Sequence, residues 1–402
     1  MKIPLGLDVS STSASTTLAC RLKKSLYGLR QAFRQLFSKL SEAMHSRGYI
    51  SSLNDYSLFT KSSSGSLVVM AVYIDDILLA GDDVTELDSL KLFLDNQFKI
   101  NDLGTFHYFL GLEISSHPQG YLMTQSKYTT DLLAEFNCHH FSPVFTPLDP
   151  SIKLHLDIGS PVSDPSMYRR LIGKLNFLRH TRPDISFFVQ YLSQFIQHPQ
   201  VPHMIATFHV SRYLMNDPTQ GILLSNSPGM SLMGFSDSDW GSCTISRKPV
   251  SGYYITLGDN PVSWKNKKQP TISLSSAEDE YRALRKAAAE IAWLIKLLGD
   301  LDLPISNLVP VYCDSQVALH IAKNPVFHER TKHIEIDCHY VRECVYAGLI
   351  SLHFVSSADQ LADIMTKALS TQLHYGILSK LGVSSPSSLR SGVRAQSGSP
   401  SK

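Results

Sequence analysis

The sequence predicts an α/β chain, with a mixed front part of α+β type followed by a layered α/β domain. Three observations predict it. Short β-branched and aromatic runs alternate with Ser/Gly turns before residue 125. Helical periodicities dominate between residues 168 and 215. Beyond residue 222, strands come first and are followed by helices with strands between them, the order of an α/β layer structure. At 402 residues, 43% hydrophobic and 18% charged, the chain is globular in composition and long enough for two or three cores.

The elements follow in order. Residues 1–17 are rich in Ser and Thr without periodicity, and are expected to be disordered. Over 22–48, Leu36, Leu40 and Met44 recur one turn apart, as on a helix face. Apolar runs at 57–60 and 67–73 flank a Ser/Gly turn and predict a hairpin. A second hairpin turns at Asp75 and Asp76, with 77–80 as its return strand. Residues 87–98 read as an amphipathic helix, 108–114 and 121–124 as a strand pair, and 127–135 as a short helix. The stretch 143–166, dense in proline and small polar residues, predicts a linker. Helices are predicted over 168–179, 185–195 and 203–215, and a turn over 216–221.

In the last domain, 232–235, 252–257, 262–265, 309–313 and 349–355 predict strands. Residues 276–298, 333–347 and 360–367 predict helices, and the Ser/Gly/Pro-rich end 384–402 predicts a disordered tail.

A net charge of +2 argues neither for nor against a polyanionic partner. A nucleic-acid-binding face would be local, and Lys23, Lys24, Arg30 and Arg34, beside Arg21, are the candidates; the alternative is a solvated helix face. The cysteines, Cys20, Cys138, Cys243, Cys313, Cys338 and Cys344, form no CxxC pair and read as free thiols in a reducing compartment. His333, Cys338, His339 and Cys344 fit no common zinc spacing and read as helix surface and core. The opening MKIPLGLDVSS has no apolar core of a secretory signal, and the run 67–80 is interrupted by Asp75 and Asp76. An intracellular chain, cytoplasmic or nuclear, is expected.

Four acids of the last domain suit a metal site. Phosphodiester hydrolysis with two metals needs several carboxylates around two cations about 4 Å apart, carried on rigid elements. Asp237 follows the strand 232–235, and Asp314 follows 309–313, so each stands where a strand ends. Either could instead be a turn or cap residue. On the long helix, Ala277, Tyr281, Leu284, Ala288, Ile291 and Ile295 form the apolar stripe. Ser275 and Glu278 have capping-box spacing, which gives Glu278 a structural task and leaves Glu280 for the metals. Asp363 lies on the last predicted helix, where its alternative is a surface pair with Lys367.

The strings GFSDSDWGS, SGYYITLG, VSWKNKKQPTISLSSAEDEYRAL, VYCDSQVALHIAKNPVFHERTKHIEIDCHYVRE and ADQLADIMTKAL closely resemble the ribonuclease H domain of copia-type long-terminal-repeat retrotransposon polyproteins. The resemblance covers the whole last domain, 222–383. It implies Asp237, Glu280, Asp314 and Asp363 as the metal-binding catalytic set, cutting RNA in an RNA–DNA hybrid with Mg2+, or Mn2+ in its place. It departs from cellular ribonucleases H in having no histidine just before the last helix, since His353 lies earlier, inside a strand. His333 and Asp337 of the same string could contact substrate or pair with each other.

The strings LKKSLYGLRQAFRQL, DYSLF, YIDDILLAGDD, DLGTFHYFLGLEI and YRRLIGKLNFLRHTRPDI resemble the reverse transcriptase of the same polyproteins. The resemblance implies a truncated palm and thumb over 18–142 and connection helices over 167–221. It makes Asp75 and Asp76 the polymerase acids, whose earlier partner aspartate lies outside these residues. Phe33 and Leu36 stand where the family has proline and tryptophan. A hybrid-specific nuclease with polymerase activity lost is the expected function, partnered by RNA–DNA hybrid and other retrotransposon Pol or Gag products. The alternatives are a non-catalytic relic, a nucleic-acid-binding fragment, and integrase-type strand transfer, against which Glu280 argues.

Overall fold

The computed structural model describes residues 32–63, 65–74, 76–226, 229–240, 245–324 and 335–390. Two compact units are distinguished: one up to Asp102 together with Asp300–Asp302, and one of Leu103–Gly299 with the residues from Leu303 onward.

In the first unit, α1 (Ala32–Ser46) precedes β1 (Ile50–Ser51), β2 (Leu58–Ser63), β3 (Ser66–Tyr73), β4 (Asp76–Gly81) and α2 (Val84–Phe98). The strands pair antiparallel in sequence order, the arrangement that short turns enforce. Leu40 and Met44 of α1 and Leu90 and Leu94 of α2 are buried with Phe59, Val68 and Met70, so the helical and strand periodicities meet in one core. Asp83 caps α2 by accepting from the Glu86 N–H at 3.0 Å. Asp76 opens β4, exposed and opposite Tyr73, while Asp75 lies outside the described residues. So do Lys23, Lys24 and Arg30; Arg34 is exposed on α1.

The second unit begins with β5 (Tyr108–Phe109), β6 (Leu112–His117), β7 (Gly120–Thr124) and α3 (Ser126–Glu135). Next come α4 (Pro165–Leu178), a 3-10 turn (Pro183–Ile185), α5 (Ser186–Leu192) and α6 (Val201–Leu214). Residues 143–166, read as a linker, contribute Leu148 and Leu154 to the core that these helices form. Then β8 (Gly221–Ser225), in a stretch read partly as a turn, pairs with β7 and extends the earlier sheet.

The last part comprises β9 (Leu232–Asp239), β10 (Val250–Leu257), β11 (Asn260–Lys268), α7 (Ser276–Asp300), β12 (Val309–Cys313), α8 (Gln316–Lys323), α9 (Glu335–Tyr346) and β13 (Ile350–Phe354). It ends with a 3-10 helix (Leu361–Met365), α10 (Thr371–Leu378), β14 (Val383–Ser384) and α11 (Pro386–Arg390). Its sheet runs β11-β10-β9-β12-β13; the first three strands are antiparallel, while β12 is parallel to both β9 and β13. Antiparallel strands lead and parallel ones follow, the mixed α/β layering that the order of elements predicts. Helices α7, α8 and α9 cover one face, and the 3-10 helix and α10 the other.

Three expectations are corrected. Strand β9 does not stop at Phe235: it continues through polar residues because β10 pairs with it as far as Asp239, and Ser238 Oγ donates to the Val250 carbonyl. The helix read over 360–367 is 3-10, with N–H groups of Asp363 and Thr366 donating to carbonyls three residues back. Part of the expected disordered tail is structured: β14 pairs with β8, and α11 follows.

Candidate metal centre

Asp237 sits inside β9, directly opposite Gly252 of β10. The parallel pairing sets Val311 beside Gly234 and Tyr312 beside Phe235, and the same register continued places Asp314 level with Asp237. Asp314 is not a helix cap; Ser315 caps α8 through its hydroxyl. Asp363 approaches from the 3-10 helix and Glu280 from the first turns of α7, each buried.

Asp314 is shared by two groups. Ligand atoms of Asp237, Asp314 and Asp363 lie within 4.8 Å of one another, and so do those of Glu280, Cys313 and Asp314. The four acids singled out in the sequence are thus brought together. Glu278 is occupied elsewhere, accepting from the Leu274 N–H at 2.7 Å and pairing with Arg282 at 2.6 Å.

Several residues here escaped the sequence reading. Thr366 donates its hydroxyl to Asp237 Oδ2. Lys367 is no surface partner: its Nζ lies 2.9 Å from Asp363 Oδ1 and 3.7 Å from Asp237 Oδ2, bridging two buried carboxylates. Its spacing from Asp363 was visible, but its reach to Asp237 was not. The Cys313 thiol lies 3.9 Å from Glu280 Oε2, and Ser357 Oγ donates to Asp314 at 3.0 Å. Asp279, beside Glu280, is fully buried, and burial pushes its carboxyl up to about 7. His333 lies outside the described residues, and Asp337 instead pairs with Arg285 at 3.5 Å. Cys338 and Cys344 are core residues and His339 is exposed.

One lysine does not balance this much negative charge. Burial, then the charges of Asp237 and Asp314, hold Glu280 well above the usual carboxylate range. Burial raises Asp237 as well, against the pull of Lys367. Burial and Asp237 push Asp363 up to about 7. Lys367 pays a desolvation cost that Asp237 and Asp363 outweigh, so its ammonium is held more firmly than usual. A cluster of this kind fits divalent cations, which neutralise carboxylates that water cannot reach.

These carboxyls bind protons more tightly in the folded chain than in the unfolded one. Their contribution to stability is therefore present below the ordinary carboxylate range and is lost as pH rises through about 7. A divalent cation takes the deprotonated form, so its affinity rises across the same window. Mg2+ is expected to stabilise the fold more at about pH 8 than at about pH 6, by up to about 2.7 kcal/mol when present at ~100 times its Kd, read as a larger rise in melting temperature at the higher pH. Equal shifts at both pH values would show that these carboxyls are not the ligands.

Residues 1–150 match the family described as reverse transcriptase (RNA-dependent DNA polymerase). The chain is 40% identical over 364 residues to the retrovirus-related Pol polyprotein from transposon RE1 of Arabidopsis thaliana, covering 90% of this chain and 25% of that polyprotein. It is 38% identical over 225 residues to an uncharacterized mitochondrial protein of the same plant, covering 56% of this chain and 93% of that one. Among solved structures, ribonuclease H1 from Halobacterium salinarum aligns with 34% of this chain and 94% of its own at 17% identity, with a TM-score of 0.26. The chain spans about a quarter of the length of the Pol polyprotein it matches. With reverse-transcriptase sequence over residues 1–150 and 90% of its length matching part of a retrotransposon Pol polyprotein, it belongs to the Pol family of copia-type long-terminal-repeat retrotransposons.

Proposed function

We propose that this chain hydrolyses the RNA strand of RNA–DNA hybrids, with two Mg2+ ions held by Asp237, Glu280, Asp314 and Asp363. The observation that carries the reading is the sharing of Asp314 between two ligand groups, each compact enough for one cation. When bound, a cation pair supplies an activated water and neutralises charge on the attacking and leaving oxygens. Mn2+ would serve in place of Mg2+, since both take carboxylate oxygens.

The protein's share is placement. Asp237 is held within β9 and Asp314 directly after β12, and Glu280 and Asp363 by elements packed on the same sheet. Lys367 bridges Asp237 and Asp363 and opposes the upward push of burial on both. The substrate is hybrid nucleic acid, which Arg34 and its basic neighbours in the sequence would help to hold by the backbone. Other retrotransposon Pol or Gag products are the proposed protein partners. Among the described residues no helix is long and apolar enough to cross a membrane. The proposed setting is intracellular.

The test is cleavage of a labelled RNA–DNA hybrid by the purified chain. Mg2+-dependent cutting of the RNA strand, abolished by a chelator, is expected, with the same sequence as duplex DNA left whole. An intact hybrid under conditions where the chain is folded would overturn the proposal.

A further inference from the structure

Asp237 and Asp363 are far apart in sequence, and something must set the gap between them. The 3-10 helix that carries Asp363 is a single short element with few internal bonds, so its position on the sheet is decided by what ties it down. Gln360, fully buried at its N-terminus, makes two such ties. Its Nε2 donates to the carbonyl of Ser236, the residue before Asp237, at 3.0 Å, and its Oε1 accepts from the Ala362 N–H at 3.2 Å. One side chain thus bonds both the strand with the first acid and the helix with the second.

Gly252 supplies the matching surface. It lies opposite Asp237, and a methyl there would stand 2.7 Å from both Met365 Cβ and Thr366 Cγ2. The 3-10 helix rests on bare backbone at this point, so any side chain would lift it and Asp363 with it.

We infer that Gln360 is a positioning residue which, with the close approach allowed by Gly252, sets the separation of Asp237 and Asp363 and thereby the affinity of the site for a divalent cation. The inference rests on the metal-dependent reading above. Gln360 touches no substrate; it acts through the two acids. Partners that orient metal ligands are worth about 10–100-fold in affinity, and that range sets the expected effect.

The experiment measures Mn2+ binding to the full chain by electron paramagnetic resonance, below the melting temperature of every variant. Gln360→Met removes both hydrogen bonds at similar length, Gly252→Ala lifts the helix from the other side, and Leu378→Ala removes buried apolar contact in the same core. The first two are expected to weaken Mn2+ binding by about 10-fold or more, and Leu378→Ala to lower the melting temperature with binding unchanged. Wild-type affinity in Gln360→Met, or equal weakening in Leu378→Ala, overturns the inference while leaving the nuclease reading intact. No Mn2+ binding by the wild type overturns both. If Gln360→Met does not fold, Gly252→Ala decides in the same way.

Discussion

Asp237→Asn is expected to lower hybrid cleavage by roughly 10^3-fold, the scale of a single electrostatic group acting in a water-poor site. Asparagine keeps the size of the side chain and an oxygen for the Thr366 hydroxyl, but it removes the charge. The same change takes a carboxylate out of a crowded, buried cluster, so the cation-free chain should melt no lower than wild type. Activity and stability therefore move apart, which a merely unfolded variant cannot mimic. Glu278→Gln is the companion. It keeps an acceptor for the Leu274 N–H and loses the buried ion pair with Arg282, which retains its bonds to Gln269, Thr271 and Ser273, so it should cost about 1–3 kcal/mol of stability and leave cleavage by the folded chain nearly normal. Comparable rates for wild type and Asp237→Asn on the same hybrid would remove Asp237 from the site.

The largest loss of stability is expected from Asp184→Ala, at about 3–5 kcal/mol in equilibrium urea unfolding. Arg182 and Asp184 form a two-point ion pair, Nε to Oδ1 at 3.0 Å and Nη2 to Oδ2 at 2.8 Å, and both are buried. Tyr213 of α6 donates to Asp184 Oδ2 at 2.7 Å, and its hydroxyl also lies 3.0 Å from Nε2 of His374 on α10. Since the tyrosine has one proton and gives it to the carboxylate, His374 must present Nε2–H to the phenolic oxygen. Burial opposes the Asp184 charge, but Arg182 and Tyr213 outweigh it and keep the carboxyl below its usual range. The pair therefore adds stability above the ordinary carboxylate range, and that contribution is lost as pH falls through the depressed value. Alanine would leave the Arg182 guanidinium buried without its partner, the costly case. A loss below about 1 kcal/mol would show that water reaches the guanidinium. The network joins helices read as a connection segment to α10 beyond the last sheet, so the two regions share one buried polar centre.

Residue patterns by themselves determined the class of the fold and most of its elements. Strand β12 and the apolar stripe of α7 were legible because burial of one face imposes a period on neighbouring residues. Glu278 could be set aside because its capping partner is three residues away. The resemblance to the retrotransposon strings then singled out Asp237, Glu280, Asp314 and Asp363 together.

Only the tertiary structure decided how far β9 runs, that Asp363 rides on a 3-10 helix, and which neighbours hold the acids. Strand β9 beyond Phe235 is polar and shows no alternation of burial, so its register comes wholly from pairing with β10. Thr366 reaches Asp237 across 129 residues and Gln360 reaches Ser236 across 124. Gly252 matters for the room it leaves, and Lys367 for a second carboxylate that its own helix turn does not contain. Caps and periodicity are local and leave their mark in sequence, whereas these contacts exist only once distant segments are folded against one another.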